Sequence, residues 1–308
     1  MSRRFRIGTR GSKLALIQAH MVAGHIARVL GAPVDEVTEL VVFKTQGDLV
    51  LDRNLSEIGG KGLFTFELEE ALHNGSIDFA VHSMKDMPTT LPDALIIDCI
   101  LEREDPRDAF ISSKAALLAD LPAGAVVGTS SLRRAAQVLA KRPDVTIVPF
   151  RGNVDTRLKK LSDGVADATM LAMAGLNRMD LADRVTAPLS SDEMLPAVAQ
   201  GAIGVERRKA DEEAAALLHQ FHHAESGVRV SAERALLAVL DGSCRTPIAA
   251  LAELNGKRLS LRAMILTPDG KEVLETSRDG LACDAVALGV DAGRELKSRA
   301  GPQFFKLP

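Results

Sequence analysis

Ile77-Asp78-Phe79-Ala80-Val81-His82-Ser83-Met84-Lys85-Asp86-Met87-Pro88 is the stretch whose reading decides the fold. Its first part is apolar and reads as a buried strand over Ile77 to Val81. Its second part sets a cation and a carboxylate, Lys85 and Asp86, side by side, and Pro88 has no N–H with which to continue a ladder. A buried strand that stops on charged residues fits an open α/β sheet, whose ligands bind outside the carboxyl ends of the strands. A carboxylate held there beside a cation stays ionised and can face a substrate that becomes positively charged.

The pattern continues on both sides. Phe5 to Thr9 reads as a strand, and Gly11-Ser12 opens an amphipathic helix with Leu14, Ile17, Met21 and Val22 on one side. Val37 to Phe43 is a further strand and Phe64 to Leu72 a helix. After Leu95 to Leu101 the charged stretch Glu102-Arg103-Glu104-Asp105-Pro106 reads as a crossover or hinge. A second series follows: strand Ala125 to Val127, helix Ser130 to Ala140, strand Val145 to Pro149, helix Val154 to Leu161 and strand Ala168 to Leu171. Leu195-Pro196 and Gln200-Gly201 mark a second crossing, after which Ala202 to Leu218 returns to the first lobe. From about Ser226 the character changes to a helix (Val230 to Leu240), strands Ile248 to Leu254, Leu259 to Leu266 and Val273 to Ser277, and a helix from Cys283 to Lys297. The expected class is α/β, with two lobes and a small C-terminal α+β domain. The lobes are residues 1–101 with 202–221, and 107–195; crossings lie at 102–106 and 196–201, and the third domain at 226–308. Two lobes joined twice leave a cleft, a usual place for a ligand.

The 308 residues are 46% hydrophobic, enough for sizeable cores, yet no apolar run approaches the roughly 20 residues that cross a bilayer. A formal net charge of −3 gives no general attraction to nucleic acid or an anionic membrane, and the absence of Trp and Tyr leaves few platforms for stacking bases. No apolar segment follows the basic start Met1-Ser2-Arg3-Arg4, so a cytoplasmic protein is expected, with Cys99, Cys244 and Cys283 as reduced thiols. No long heptad or apolar patch suggests assembly, and a monomer is expected.

Against this mild background, arginines cluster at strand-to-helix junctions. Val127-Gly128-Thr129-Ser130-Ser131-Leu132-Arg133-Arg134 reads as a strand end, a tight turn and a helix start, where hydroxyls and free N–H groups make an anion site. Arg133 and Arg134 in that first turn oppose the helix dipole, a conflict that an anionic ligand would resolve. Phe150-Arg151-Gly152-Asn153-Val154-Asp155-Thr156-Arg157 repeats the idea, with Asn153 as cap, and Thr9-Arg10-Gly11-Ser12 is a third instance. Three such junctions suit a ligand with several carboxylates better than a single phosphate.

Ile58-Gly59-Gly60-Lys61-Gly62-Leu63-Phe64 lacks the spacing of a P-loop and reads as a flexible segment delivering Lys61 and Phe64 to the cleft. Leu240-Asp241-Gly242-Ser243-Cys244-Arg245-Thr246-Pro247 sets Cys244 in a turn past a helix end, where Arg245 favours the nucleophilic thiolate. His219, His222 and His223 stand at i, i+3 and i+4 on a helix, but without a carboxylate or cysteine beside them they read as surface, and no metal is expected.

In the same order along nearly the whole chain, Ile7 to Ser12, Gly60 to Phe64, Val81 to Pro88, Val127 to Arg134, Arg151-Gly152-Asn153, Pro196 to Ala202 and the cysteine loop resemble the porphobilinogen deaminase (hydroxymethylbilane synthase) family. The resemblance implies lobes like type II periplasmic-binding-protein domains. It implies a transferase that condenses four porphobilinogen molecules head to tail, releasing ammonia, to give the linear tetrapyrrole hydroxymethylbilane. It also implies a dipyrromethane cofactor bonded through a thioether, with Cys244 as the attachment residue by position. The acetate and propionate of each pyrrole then account for Arg10, Arg133, Arg134, Arg151, Arg157 and Arg178, with Ser12, Thr129, Ser130 and Ser131 as neutral donors. Lys85 would bind cofactor carboxylates, Lys61 and Phe64 would reach the ligand, and Gln200 lies at the second crossing. Asp86 would face the cation left when ammonia departs, and assist proton transfer. Three positions depart from the family pattern: Glu57 in place of a lysine seen in some members, Ala199 in place of a common glycine, and Gln46 in a variable stretch. A two-lobe chain also suits a non-catalytic carrier of a polycarboxylate, but the Lys85-Asp86 pair and the Cys244 loop favour the enzyme.

Overall fold

The computed structural model describes residues 3–44, 65–240, 246–301 and 304–305. The glycine-rich loop with Lys61 and Phe64, the positions Gln46 and Glu57, and Cys244 with Arg245 lie outside the described residues. In chain order the strands are β1 (Phe5–Arg10), β2 (Thr38–Phe43), β3 (Phe79–Ser83), β4 (Leu95–Ile100), β5 (Asp108–Ser112), β6 (Val126–Gly128), β7 (Thr146–Val148), β8 (Ala168–Ala172), β9 (Ala187–Pro188), β10 (Ile203–Arg208), β11 (Ile248–Asn255), β12 (Arg258–Leu266) and β13 (Val273–Leu281). The α-helices are α1 (Lys13–Leu30), α2 (Val34–Val37), α3 (Phe66–His73), α4 (Leu132–Lys141), α5 (Val154–Ser162), α6 (Met173–Arg178), α7 (Glu212–His219), α8 (Ala224–Val239) and α9 (Ala285–Ala300).

The chain divides into two compact units, with the divisions between Glu104 and Asp105, between Gly201 and Ala202, and between Gly227 and Val228. In the first unit a five-stranded sheet has the order β2-β1-β3-β10-β4. β1 runs parallel to β2 and β3, while β10 is antiparallel to β3 and β4. The quoted run starts its strand two residues later than its apolar pattern suggests. Asp78 is taken up instead by a turn, its carboxylate accepting from the Arg6 backbone N–H at 2.8 Å. α1 lies on this sheet. Ser12 caps it by accepting from the Ala15 N–H at 3.3 Å, and Gly31 ends it in the left-handed region. Its buried face is Gln18, Ala19, Val22, Ala23, Ile26 and Ala27, packed with Phe5, Ile7, Phe79, Val81, Ile203 and Val205. The expected stripe is therefore rotated: Val22 is inside, but Met21 is exposed and Leu14 and Ile17 are half-buried. Alanines face the sheet because a small side chain lets the helix axis come close, which bulk would prevent.

The second unit holds two sheets. One has the order β7-β6-β8-β5-β9, with β6 parallel to β7 and β8, and β5 antiparallel to β8 and β9. The other is the antiparallel β11-β12-β13, its first hairpin closed by the two residues between Asn255 and Arg258. In each five-stranded sheet the odd, antiparallel strand is one that directly follows a crossing in sequence: β10 after 196–201, and β5 after 102–106. The α/β class with a small C-terminal sheet is thus observed. A further local expectation fails. α7 ends at His219, so His222 and His223 are not on it. His222 accepts from the Ile100 N–H at 3.1 Å, and His223 lies 2.9 Å from the Ser226 hydroxyl. Among the described residues, no helix is long and apolar enough to cross a membrane, and no three His, Cys, Asp or Glu side chains gather as metal ligands.

Candidate active site

In the first unit β1 and β3 are parallel neighbours, so their carboxyl ends lie side by side. β1 ends on Arg10, and Ser12 starts α1 two residues later. β3 ends on Ser83. One 3-10 turn follows, Met84–Asp86, closed by the Met87 N–H donating to the Met84 carbonyl at 3.3 Å, and Pro88 comes next. A cavity of about 90 Å³ opens there, and Arg10, Ser12, Gln18, Thr65, His82 and Asp86 are among its lining. Asp86 is exposed, and Arg10 and Lys85 are half-buried. The α1 N-terminus adds its positive dipole end, with no acidic residue in its first turn. The wall is made rigid from behind: Gln18 and Ser83 exchange hydrogen bonds at 2.9 and 3.1 Å, and His82 Nε2 lies 2.8 Å from Glu206 Oε2.

In the second unit β6, β7 and β8 are parallel neighbours, so the three junctions that follow them share one edge of the sheet. After β6, Thr129 accepts from the Ser131 N–H at 3.2 Å, Ser131 caps α4, and the Ser130 hydroxyl accepts from the Phe150 N–H at 2.8 Å. After β7 come Arg151 and Asn153. Asn153 caps α5 by accepting from the Thr156 N–H at 2.9 Å, and Arg157 donates to the Gly152 carbonyl at 2.8 Å. After β8, α6 ends on Arg178, which donates to the Gly201 carbonyl at 2.7 Å. Arg151 is half-buried, and its Nη1 is buried with no hydrogen-bond partner among the described residues.

Arg133 and Arg134 are placed differently from expectation. Both are buried at 5% exposure, and the anion that offsets them is the chain's own Asp108, at the start of β5. Arg134 donates to Asp108 from Nε at 2.9 Å and to the Met170 carbonyl at 2.9 Å. Arg133 pairs with Asp108 at 2.8 Å and donates to the Leu195 carbonyl at 2.8 Å. Burial would raise the Asp108 carboxyl, but the charges of Arg133 and Arg134 and their hydrogen bonds hold it far below the usual carboxylate range. Asp108 therefore offsets part of the dipole conflict at the start of α4 from within the fold, one carboxylate shared by two guanidinium groups, and Arg133 Nε has no hydrogen-bond partner among the described residues. Gln200 is likewise 1% exposed and donates to the Pro106 carbonyl at 2.8 Å and to Asp108 at 3.2 Å. It ties the second crossing segment to the first instead of facing solvent.

Two family descriptions match the chain: porphobilinogen deaminase, dipyromethane cofactor binding domain, over residues 5–216, and porphobilinogen deaminase, C-terminal domain, over 228–298. A porphobilinogen deaminase of Paracoccus denitrificans is 59% identical over 300 residues, covering 97% of this chain and 96% of that one. The chloroplastic porphobilinogen deaminase of Pisum sativum is 54% identical over 306 residues, covering 97% and 83%. The chain belongs to the porphobilinogen deaminase family. Among solved structures, the periplasmic aliphatic sulphonate binding protein SsuA of Escherichia coli aligns at 16% identity with a TM-score of 0.42, covering 77% of this chain and 70% of that one. As a member of the porphobilinogen deaminase family the chain is a transferase of tetrapyrrole synthesis, a hydroxymethylbilane synthase, and residues 5–216 form its dipyrromethane-binding region.

The chain's residues fit that cofactor, which carries several carboxylates. The buried, unpartnered Nη1 of Arg151 stands at an edge that also offers Thr129, Ser130 and Ser131 and two helix starts. Porphobilinogen deaminase motifs thus come together in two groups, Arg10, Ser12 and Asp86 in one unit and Thr129 to Ser131, Arg151, Arg157 and Arg178 in the other. Reading the sequence missed Asp108 and Glu206. Each is a single carboxylate in an unremarkable stretch, and its partner stands 25 or more residues away. The one visible cue was Arg133-Arg134 in a first turn, where two like charges call for a counter-ion.

Proposed function

We propose that Asp86 is the carboxylate at which the porphobilinogen deaminase reaction of this chain takes place. The observation that carries this is its exposure at the mouth of a cavity formed by the parallel ends of β1 and β3, beside Arg10 and the start of α1. Arg10, Ser12 and Lys85 bind acetate and propionate groups and orient the pyrrole, which converts a diffusional encounter into a positioned one. As ammonia leaves, positive charge develops on the substrate pyrrole. The Asp86 carboxylate stabilises that charge and accepts hydrogen bonds from pyrrole N–H groups. Arg151, Arg157 and Arg178, with Thr129, Ser130 and Ser131, hold the carboxylates of the cofactor, and Arg133, Arg134 and Gln200 act on that edge through Asp108. Lys61 and Phe64 complete the contacts. When bound, the dipyrromethane supplies the pyrrole carbon to which the first substrate unit is joined.

The cofactor is held by a thioether to Cys244, which the C-terminal family region contains. Of the described cysteines, Cys99 is a poor nucleophile, because burial pushes its thiol up to about 12. The division into three domains, 1–101 with 202–221, 107–195 and 226–308, belongs to the same proposal, as do a cytoplasmic location and a monomeric state.

Intact mass under denaturing conditions tests the attachment. The wild-type chain is expected to exceed its sequence mass by two linked pyrrole units, and Cys244→Ser to show the bare mass. A wild type of bare mass that stays so after incubation with porphobilinogen refutes it.

A further inference from the structure

His82, in the wall of the Asp86 cavity, has no part in the mechanism above. It is 6% exposed, and its Nε2 lies 2.8 Å from Glu206 Oε2 on β10. Glu206 is fully buried, and its other oxygen, Oε1, has no hydrogen-bond partner among the described residues. The pairing of β10 with β4 shifts register between Val205 and Glu206, an irregularity of the kind that re-aims a side chain beside a site. Glu69 on α3 joins the group. Burial pushes its carboxyl up and the Glu206 charge adds to this, while Thr65, His82 and His73 draw it down. The charged and titratable groups that share its surroundings are Glu206 from β10, Glu69 from α3, and Arg10 and Asp86, which line the same cavity. A histidine oriented by a buried carboxylate is the arrangement that readies an imidazole to take a proton. Stability alone does not call for it, since apolar side chains of similar volume serve as well or better.

We propose that His82 is the base that takes the C–H proton at each condensation, and that Glu206 positions it and balances its charge. This role presupposes the reading of Asp86 as the site's carboxylate. In each cycle a carbon–carbon bond forms between a free pyrrole α-carbon and the aminomethyl carbon of porphobilinogen. The carbon–nitrogen bond of the protonated aminomethyl group breaks, and nitrogen leaves with the electron pair as ammonia. The C–H electron pair of the α-carbon returns to its ring, and the proton goes to His82. The imidazolium then gives that proton up to the released ammonia or to water and is neutral for the next cycle. Asp86 is unsuited to hold this proton, because protonation would remove the negative charge it supplies to the cationic pyrrole.

The test uses the full chain with its cofactor. Glu206→Gln preserves volume and a hydrogen bond but removes the charge. It is expected to lower kcat 10- to 100-fold with KM within threefold, the loss usual for a residue that orients another. A separate readout is the kinetic isotope effect with porphobilinogen deuterated at its free α-carbon, which is expected to be larger in Glu206→Gln than in wild type, because a poorly oriented base makes the C–H step slower than the others. A Glu206→Gln kcat equal to that of wild type, or an isotope effect that does not rise, overturns the proposal. Should Glu206→Gln not fold, His82→Gln decides, since a kcat within threefold of wild type overturns it equally. Asp86→Asn run alongside separates the two readings. Normal turnover there sinks the Asp86 reading, whereas a dead Asp86→Asn with a Glu206→Gln kcat equal to wild type sinks only the His82 role.

Discussion

Asp86 stands exposed in a 3-10 turn, so replacing its charge disturbs little packing. Asp86→Asn is expected to keep the fold and thermal midpoint of wild type and to lose about 100- to 1,000-fold in kcat, the usual cost of removing one preorganised electrostatic group. Stopped assays of porphobilinogen consumption beside a melting curve check both halves. Ala199 poses the opposite case. It occupies the left-handed region at φ +57, and its N–H donates to the buried Glu233 carboxylate at 2.6 Å. A side chain there is strained by about 1–2 kcal/mol, and glycine returns part of that gain as unfolded-chain entropy. Ala199→Gly is therefore expected to stabilise the protein by about 0.5–1 kcal/mol in urea titration. Asp86 was visible as a candidate in the Lys-Asp-Met-Pro run. That Arg133 and Arg134 were spoken for was not, because their counter-ion comes from β5, 25 residues upstream.

At the level of elements, capping was legible and facing was not. Ser12 and Asn153 cap the helices read as starting at them, since a cap depends only on residues three positions apart, while the helix read from Ser130 is capped by Ser131 and begins at Leu132. Which side of α1 meets the sheet depends on what the sheet presents, and the stripe read from large side chains was turned from the true one. β5 and β9 escaped notice because β9 has two residues and β5, which directly follows the charged crossing, gains its place only by pairing with β8, far along the chain. The loop between β12 and β13 shows what such contacts demand. Gly270 has φ +73, and a Cβ on it would lie 2.5 Å from the Ala136 carbonyl oxygen and 2.6 Å from the Ala140 nitrogen of α4. Gly270→Ala is thus expected to destabilise the protein by about 2–3 kcal/mol, combining backbone strain with overpacking. An unchanged urea midpoint in that variant would show that the loop moves away freely.

For the whole molecule the buried charges set the response to acid. Asp108 and Asp78 are both held below the usual carboxylate range: burial would raise each, but Arg133 and Arg134 outweigh it at Asp108, and Arg6 with Arg3 at Asp78. A carboxyl lower in the folded than in the unfolded state stabilises above its unfolded value of about 3.9, and that contribution is lost as pH falls toward the folded value. The urea midpoint is expected to stay level from about pH 8 to 5 and to drop below about pH 4. Asp108→Asn should lower the unfolding free energy by about 3–5 kcal/mol at neutral pH, because two guanidinium groups are left buried without an anion, and should flatten the acid slope. A variant as stable as wild type would deny the cluster that role. By itself the sequence determined what acts over short distances: the alternation of strand and helix, the caps, the charged stops after strands, and the ordered motifs that mark the porphobilinogen deaminase family. Only the tertiary structure decided which arginines face inward, that Gln200 ties two crossing segments together, and that Glu206 stands behind His82. Those outcomes depend on pairings between residues far apart in the chain, and Coulomb and hydrogen-bond energies are set by distance in space and by burial, neither of which a local pattern contains.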